Sequence, residues 1–107
     1  MLPHFTAVVV TAELCLTLIA SAEPEPEHRC FTTAETREKI PANGLFEPFH
    51  VLRSAAIRLQ AQAIGVKLCR SRGELVYELS LLRRDGRIIH LSADAKTGEI
   101  IGSRAEQ

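Results

Sequence analysis

GELVYELSLLRRDGRIIHLSADAKTGEIIG, running from Gly73 to Gly102, reads as three strands joined by two turns. A two-residue type I′ turn needs positive φ at both central positions, which Asp and Gly tolerate best, so Asp85-Gly86 is expected at a hairpin tip. Ahead of it, Leu75, Tyr77, Leu79 and Leu81 alternate with Val76, Glu78 and Ser80. Behind it, Ile89, Leu91 and Ala93 alternate with His90, Ser92 and Asp94. A period of two sends alternate side chains to opposite faces, so one face of the sheet is expected in the core and the other in water. Asp94-Ala95-Lys96-Thr97-Gly98 supplies the second turn, and Glu99-Ile100-Ile101 opens a short last strand.

The residues upstream supply helices and one more strand. Thr32-Thr33-Ala34-Glu35 has capping-box spacing, in which the Thr32 hydroxyl and the Glu35 carboxylate serve backbone donors reciprocally. A short helix is expected from about Thr33 to Ile40, stopped by Pro41, with Asn43-Gly44 as the turn after it. Pro48 opens a second helix at a position where its missing N–H does no harm. Its apolar residues Leu52, Ala55, Ala56 and Leu59, with Ala63 one turn on, fall at spacings of three and four and form one stripe. That stripe is expected against Tyr77 and Leu79. Ile64-Gly65 then turns the chain into a first strand, Val66 to Arg70, and Ser71-Arg72-Gly73 links it to the next. The sum is an α+β layer, a four-stranded antiparallel meander with two short helices packed on one face.

Val76-Tyr77-Glu78-Leu79, Asp85-Gly86 and Asp94-Ala95-Lys96-Thr97-Gly98-Glu99-Ile100 together resemble the signature of PepSY domains, over roughly residues 50 to 102. The resemblance implies a small secreted or periplasmic domain that binds and regulates, or inhibits, an envelope protein such as a sensor kinase or a protease. The chain departs from the commonest form at Ala93, where a β-branched residue often stands, and in carrying Cys69 in its first strand.

The N-terminus reads as a leader. Phe5 to Ala20 is an apolar stretch, and Ala20-Ser21-Ala22 is a small-x-small cleavage site. Glu13 inside that stretch and an n-region without Lys or Arg depart from the pattern, and an uncleaved anchor is the alternative. Residues 1–22 are thus expected as a signal peptide, 23–29 as a mobile linker broken by Pro24 and Pro26, and 30–107 as the PepSY-like domain. Of three cysteines, Cys15 leaves with the leader, and Cys30 and Cys69 remain as an even pair in an oxidising compartment, where a disulfide is expected. A periplasmic or secreted location follows.

Charge narrows the function. The leader removes only Glu13 among charged residues, so 13 Lys plus Arg stand near balance with the remaining acids, and no basic block interleaves with aromatics. A nucleic-acid partner is not expected. His28, Cys30, His50, Cys69, His90 and Asp94 are all of metal-ligating type, but no pair has the two- or three-residue spacing of a knuckle or helix-face site, so neither metal nor cofactor is expected. Ser80 and Ser92 with His90 are the only nucleophile and base candidates on the strands, without a glycine-rich elbow, and no catalytic residue is assigned.

What remains is a binding module. A sheet with one uncovered face and an unprotected edge can accept an extended segment of a partner protein. Val76, Glu78, Leu82, Ile88 and His90 are the expected contact residues of that open face, which could equally pair two copies of the chain in a homodimer. A structural subunit of an envelope complex is the competing reading, and a metal- or small-ligand-binding protein stands behind it.

Overall fold

A computed structural model describes residues 27–105, so the expected leader and most of the linker lie outside the described residues. Five antiparallel strands form one sheet in chain order: β1 (His28–Cys30), β2 (Gln62–Ser71), β3 (Glu74–Leu82), β4 (Ile88–Asp94) and β5 (Ile100–Ala105). Helices α1 (Thr33–Asn43) and α2 (Pro48–Leu59) lie between β1 and β2 in the chain. The α+β meander is therefore present with one strand more than the expected four. The first two residues of that strand fall in the expected linker and the third in the expected domain: His28, Arg29 and Cys30 pair with Ser71, Arg70 and Cys69.

The two hairpins exchange roles relative to the sequence reading. Arg72 and Gly73 both have positive φ, at 50° and 81°, the two-residue conformation expected at Asp85-Gly86. At the latter site only Gly86 is left-handed, at 86°. Gly86 N–H donates to Arg83 C=O at 3.0 Å and Arg83 N–H to Arg87 C=O at 2.8 Å, which defines a three-residue loop closed by a glycine bulge. The Asp85 carboxylate accepts from Arg87 N–H at 3.0 Å and lies 3.4 Å from the Arg83 guanidinium, so it braces the longer loop from outside.

The first helix runs further than expected. Its capping box is formed, with Glu35 N–H donating to Thr32 Oγ1 and Thr32 N–H donating to Glu35 Oε1, both at 3.1 Å. That backbone donor, aided by the Thr32 hydroxyl and by Arg29 and Lys39, holds the Glu35 carboxyl below its ordinary range. Pro41 does not stop α1, because in the last turn it removes a single hydrogen bond; the helix ends when Gly44 adopts φ 63°. No residue of α1 is buried. Its attachment is peripheral: Phe31 and Ile40 pack partly against the core, and the Lys39 ammonium stands 4.5 Å from the centre of the Phe31 ring.

The second helix supplies the lid of the core. Glu47 caps it by accepting from Phe49 and His50 N–H groups, Pro48 sits in its first turn, and Val51, Leu52, Ala55 and Ala56 are buried. They meet Leu68 of β2, Tyr77, Leu79 and Leu81 of β3, and Leu91 and Ala93 of β4. Burying each such leucine is worth about 2 kcal/mol before the entropy of ordering it. Leu59, expected in the same stripe, is 46% exposed. It is the last helical residue, and Gln60 leaves the helix with a left-handed φ of 50°, so Leu59 rests on the rim of a cleft with Ile89, Leu91 and Ile100. The chain is in β2 by Gln62, which places Ala63 opposite Leu81 and not on the helix. Ile64-Gly65 is a bulge within β2 where a turn was expected, the position at which a strand glycine is commonly found.

Tyr77 ties the core to the loop ahead of α2. The residue is 0% exposed, and its hydroxyl donates to Phe46 C=O at 2.5 Å. Burial, with Glu47 adding to it, pushes the phenol up from 10.0 to about 12. Tyr77→Phe should therefore lower stability by about 1 kcal/mol in denaturant unfolding, the net worth of one hydrogen bond. Below pH 10 the phenol is protonated in both states; above it the unfolded chain loses its proton first. Stability should thus fall as pH rises through the window from 10.0 to about 12. Because Tyr77 is the sole tyrosine, phenolate absorbance reads this directly: the native midpoint should lie near 12 and the denatured one near 10.0.

Candidate functional site

The face of the sheet turned away from α2 carries the chemistry. Strand alternation puts Lys67 and Cys69 of β2, Val76, Glu78 and Ser80 of β3, and His90 and Ser92 of β4 on that face, and register aligns them in rows. Cys69 is opposite Val76, Lys67 opposite Glu78, and Ser80 opposite His90. The twisted surface forms a shallow trough of about 880 Å³ whose walls include His28, Lys67, Glu78, Ser80, His90 and Arg104.

At one corner, three strands converge. Cys30 of β1 and Cys69 of β2 are direct cross-strand partners and are joined as a disulfide. His28, two residues before Cys30, projects to the same face, and its Nε2 is hydrogen-bonded to Glu78 Oε1. The other Glu78 oxygen lies 3.8 Å from Cys30 Sγ, a contact only, since a bonded sulfur has no proton to give. Cys69 is wholly buried, whereas His28 and Glu78 keep 53% and 37% of their side chains exposed. Imidazole, carboxylate and both sulfurs thus share one wet corner over a dry floor.

Toward the middle of the face, Ser80 Oγ lies 3.3 Å from His90 Nδ1 across the β3–β4 ladder. Both residues are half-buried. The pair is the nucleophile and base combination noted in the sequence, and both members line the trough.

The expected site residues separate on this surface. Glu78 and His90 line the trough. Val76 does not present itself to a partner: it is 6% exposed, wedged between Cys69 and Asp94 on the neighbouring strands. Leu82 and Ile88 pair with each other at the hairpin end and are half-buried, outside the trough. Asp94 is consumed by the turn that follows, where its Oδ1 accepts from Lys96 N–H at 2.8 Å and Thr97 N–H at 3.2 Å. His50 is exposed on α2, across the sheet from the others.

The grouping of Glu78 with His28 and the two cysteines was not anticipated, because it is built from three strands. The signal for it was present. A two-residue turn at Arg72-Gly73 fixes Val76 opposite Cys69, and this places Glu78 one pleat along, diagonal to the sulfur.

No family model matches the chain, and no curated protein or solved structure matches it. Among the described residues, no helix is long and apolar enough to cross a membrane.

The crosslink closes a sequence separation of 39 residues that includes both helices. By chain entropy such a closure is worth about 4 kcal/mol, a large fraction of what a domain this size possesses. Reduction of the pair should shift the urea midpoint down by the corresponding amount, and Cys30→Ser with Cys69→Ser should reproduce that shift without reductant.

Proposed function

We propose that this protein is a non-catalytic binding module that receives an extended segment of an envelope protein along the open edge of β2. The observation that carries this reading is the mismatch in strand length. β1 pairs with only the last three residues of β2, at Cys69 to Ser71, and Phe31 N–H reaches Leu68 C=O. From Gln62 to Lys67 the same edge has no strand beside it among the described residues. Backbone donors and acceptors along that length are the template for strand addition. The edge borders the trough, where Lys67, Glu78, His90 and Arg104 offer both signs of charge for choosing among ligands.

The resemblance of Val76 to Leu79, Asp85-Gly86 and Asp94 to Ile100 to PepSY domains supports the same reading and supplies its setting, an exported regulator or inhibitor of a sensor kinase or protease. The disulfide suits an oxidising, extracytoplasmic compartment. One observation favours the structural-subunit reading instead: Phe49 and Ile57, two turns apart on the outer side of α2, are 62% and 72% exposed. A subunit of an obligate complex would cover them.

The test is capture of partners from the exporting cell's envelope fraction by the oxidised protein, with single charge substitutions on separate surfaces. Ile64, 54% exposed at the β2 bulge, is the edge probe, and Ile57 the helix probe. Both are surface positions where a substitution shifts stability by roughly 0.5 kcal/mol at most. The expected result is one envelope protein retained by the native chain and by Ile57→Lys, and lost with Ile64→Lys. Retention abolished by Ile57→Lys alone would replace the edge reading with the subunit reading, and retention indifferent to Ile64→Lys would remove the edge from the function.

A further inference from the structure

We propose that, when the Cys30–Cys69 bond is reduced, His28, Cys30, Cys69 and Glu78 together bind one zinc ion, so that this corner alternates between a covalent and a metal crosslink. One donor atom from each of the four residues falls in a set whose members all lie within 4.8 Å of one another. Tetrahedral zinc, with bonds of about 2.0 to 2.3 Å, holds its donors roughly 3.3 to 3.8 Å apart. The donors therefore need to close by about an ångström, within reach of side-chain rotation. Once the sulfurs are no longer bonded to each other they are free to separate to that spacing.

The donor set selects the ion. Two thiolates, an imidazole and a carboxylate make a mixed nitrogen, oxygen and sulfur site of borderline softness, suited to Zn²⁺ and unsuited to Mg²⁺ or Ca²⁺, which take oxygen. Three of the four donors are anionic in the metal form. Ligation makes them so, because each sulfur gives up its proton to solvent as the metal binds. A divalent ion, with Lys67 opposite Glu78, offsets the negative charge so formed. In the oxidised protein the same imidazole and carboxylate satisfy each other, through the His28–Glu78 hydrogen bond.

The redox step balances with a dithiol reductant. Cys69 is 0% exposed and Cys30 only half-buried, so a thiolate of the reductant attacks Cys30 Sγ and expels Cys69 as thiolate. The second thiol of the reductant then attacks the mixed disulfide, releasing Cys30 and leaving as a disulfide. Two electrons and two protons pass to the protein, and zinc binding returns those two protons to solvent.

The test is anaerobic titration of the full chain, carrying Cys15→Ser so that Cys30 and Cys69 are its two thiols, with Co²⁺, a spectroscopic stand-in for zinc, after reduction by a phosphine and its removal. The reduced native chain should take up one equivalent, with the strong visible bands of a tetrahedral ion and thiolate charge-transfer absorption, all bleached by added Zn²⁺. The oxidised chain should show none. His28→Ala and Glu78→Gln leave both thiols in place and should each weaken binding by at least about tenfold, the scale on which even outer ligands matter. If the reduced apo chain is unfolded, zinc should restore its far-ultraviolet dichroism in the native sequence and fail to do so in these variants at the same concentration. Absence of tetrahedral cobalt, or variants that bind and refold as the native chain does, would overturn the four-ligand site; the second outcome would leave two thiols binding metal without it.

Discussion

Tyr77, Leu79 and Leu81 on one face of β3 exclude water completely, and most of the remaining architecture answers to that constraint. A row of three large apolar side chains on the central strand must be covered, and α2 covers it with Val51, Leu52, Ala55 and Ala56. One twelve-residue helix suffices for one face. The other face stays wet, so the polar alternates of β3 and β4 meet solvent. Glu78, Ser80 and His90 share a surface because their neighbours in sequence are needed in the core. The Tyr77 hydroxyl extends the constraint to the loop before α2, since its partner is the Phe46 carbonyl and Phe46 N–H in turn donates to Ala95 C=O at 2.9 Å. Helix, central strand and the β4–β5 turn are thereby held together.

The features legible in the sequence were those governed by local rules. Alternation in Leu75 to Leu81 identified the buried row, the capping box at Thr32 began α1, and Pro48 began α2. The cysteine count paired Cys30 with Cys69, and their bond is present. Features set by competition between distant segments were not legible. Gln60 ends α2 in a left-handed conformation without the glycine or asparagine that normally signals it, so the stripe seemed to continue through Ala63. Pro41 looked like a stop signal but falls where few helical bonds remain to be lost. The Asp85-Gly86 pair has the composition of the tightest hairpin, yet Asp85 uses its side chain to brace a longer one.

The same distinction explains the site. Alternation assigned Val76 to the open face as a direction, but exposure depends on what stands on the adjoining strands, and between Cys69 and Asp94 it is buried. His28 was placed in a linker because Pro24 and Pro26 precede it, and a three-residue strand carries too little pattern to be read alone. Its pairing with β2 is enforced by the crosslink two residues on. Beside that covalent contact, Arg72 N–H donates to Glu27 C=O and Phe31 N–H to Leu68 C=O, and the strand so held carries the imidazole to Glu78. The hairpin that sets Glu78 diagonal to Cys69 left a trace in the sequence, whereas the arrival of His28 from β1 left none.

The separation of the crosslink from the core bears on how the molecule survives damage. Helix α1 has no buried residue and lies inside the loop closed by Cys30 and Cys69. Of the two helices it is the one with less to lose by opening locally, and hence the more open to a protease. A single cut anywhere in it would leave two fragments joined through sulfur, one bearing β1 and the other bearing α2 with the rest of the sheet. Such a nicked molecule would keep the buried contacts of the core while losing continuity of its backbone; the cut would add one water to its mass, and the two fragments would part only once the sulfurs were reduced.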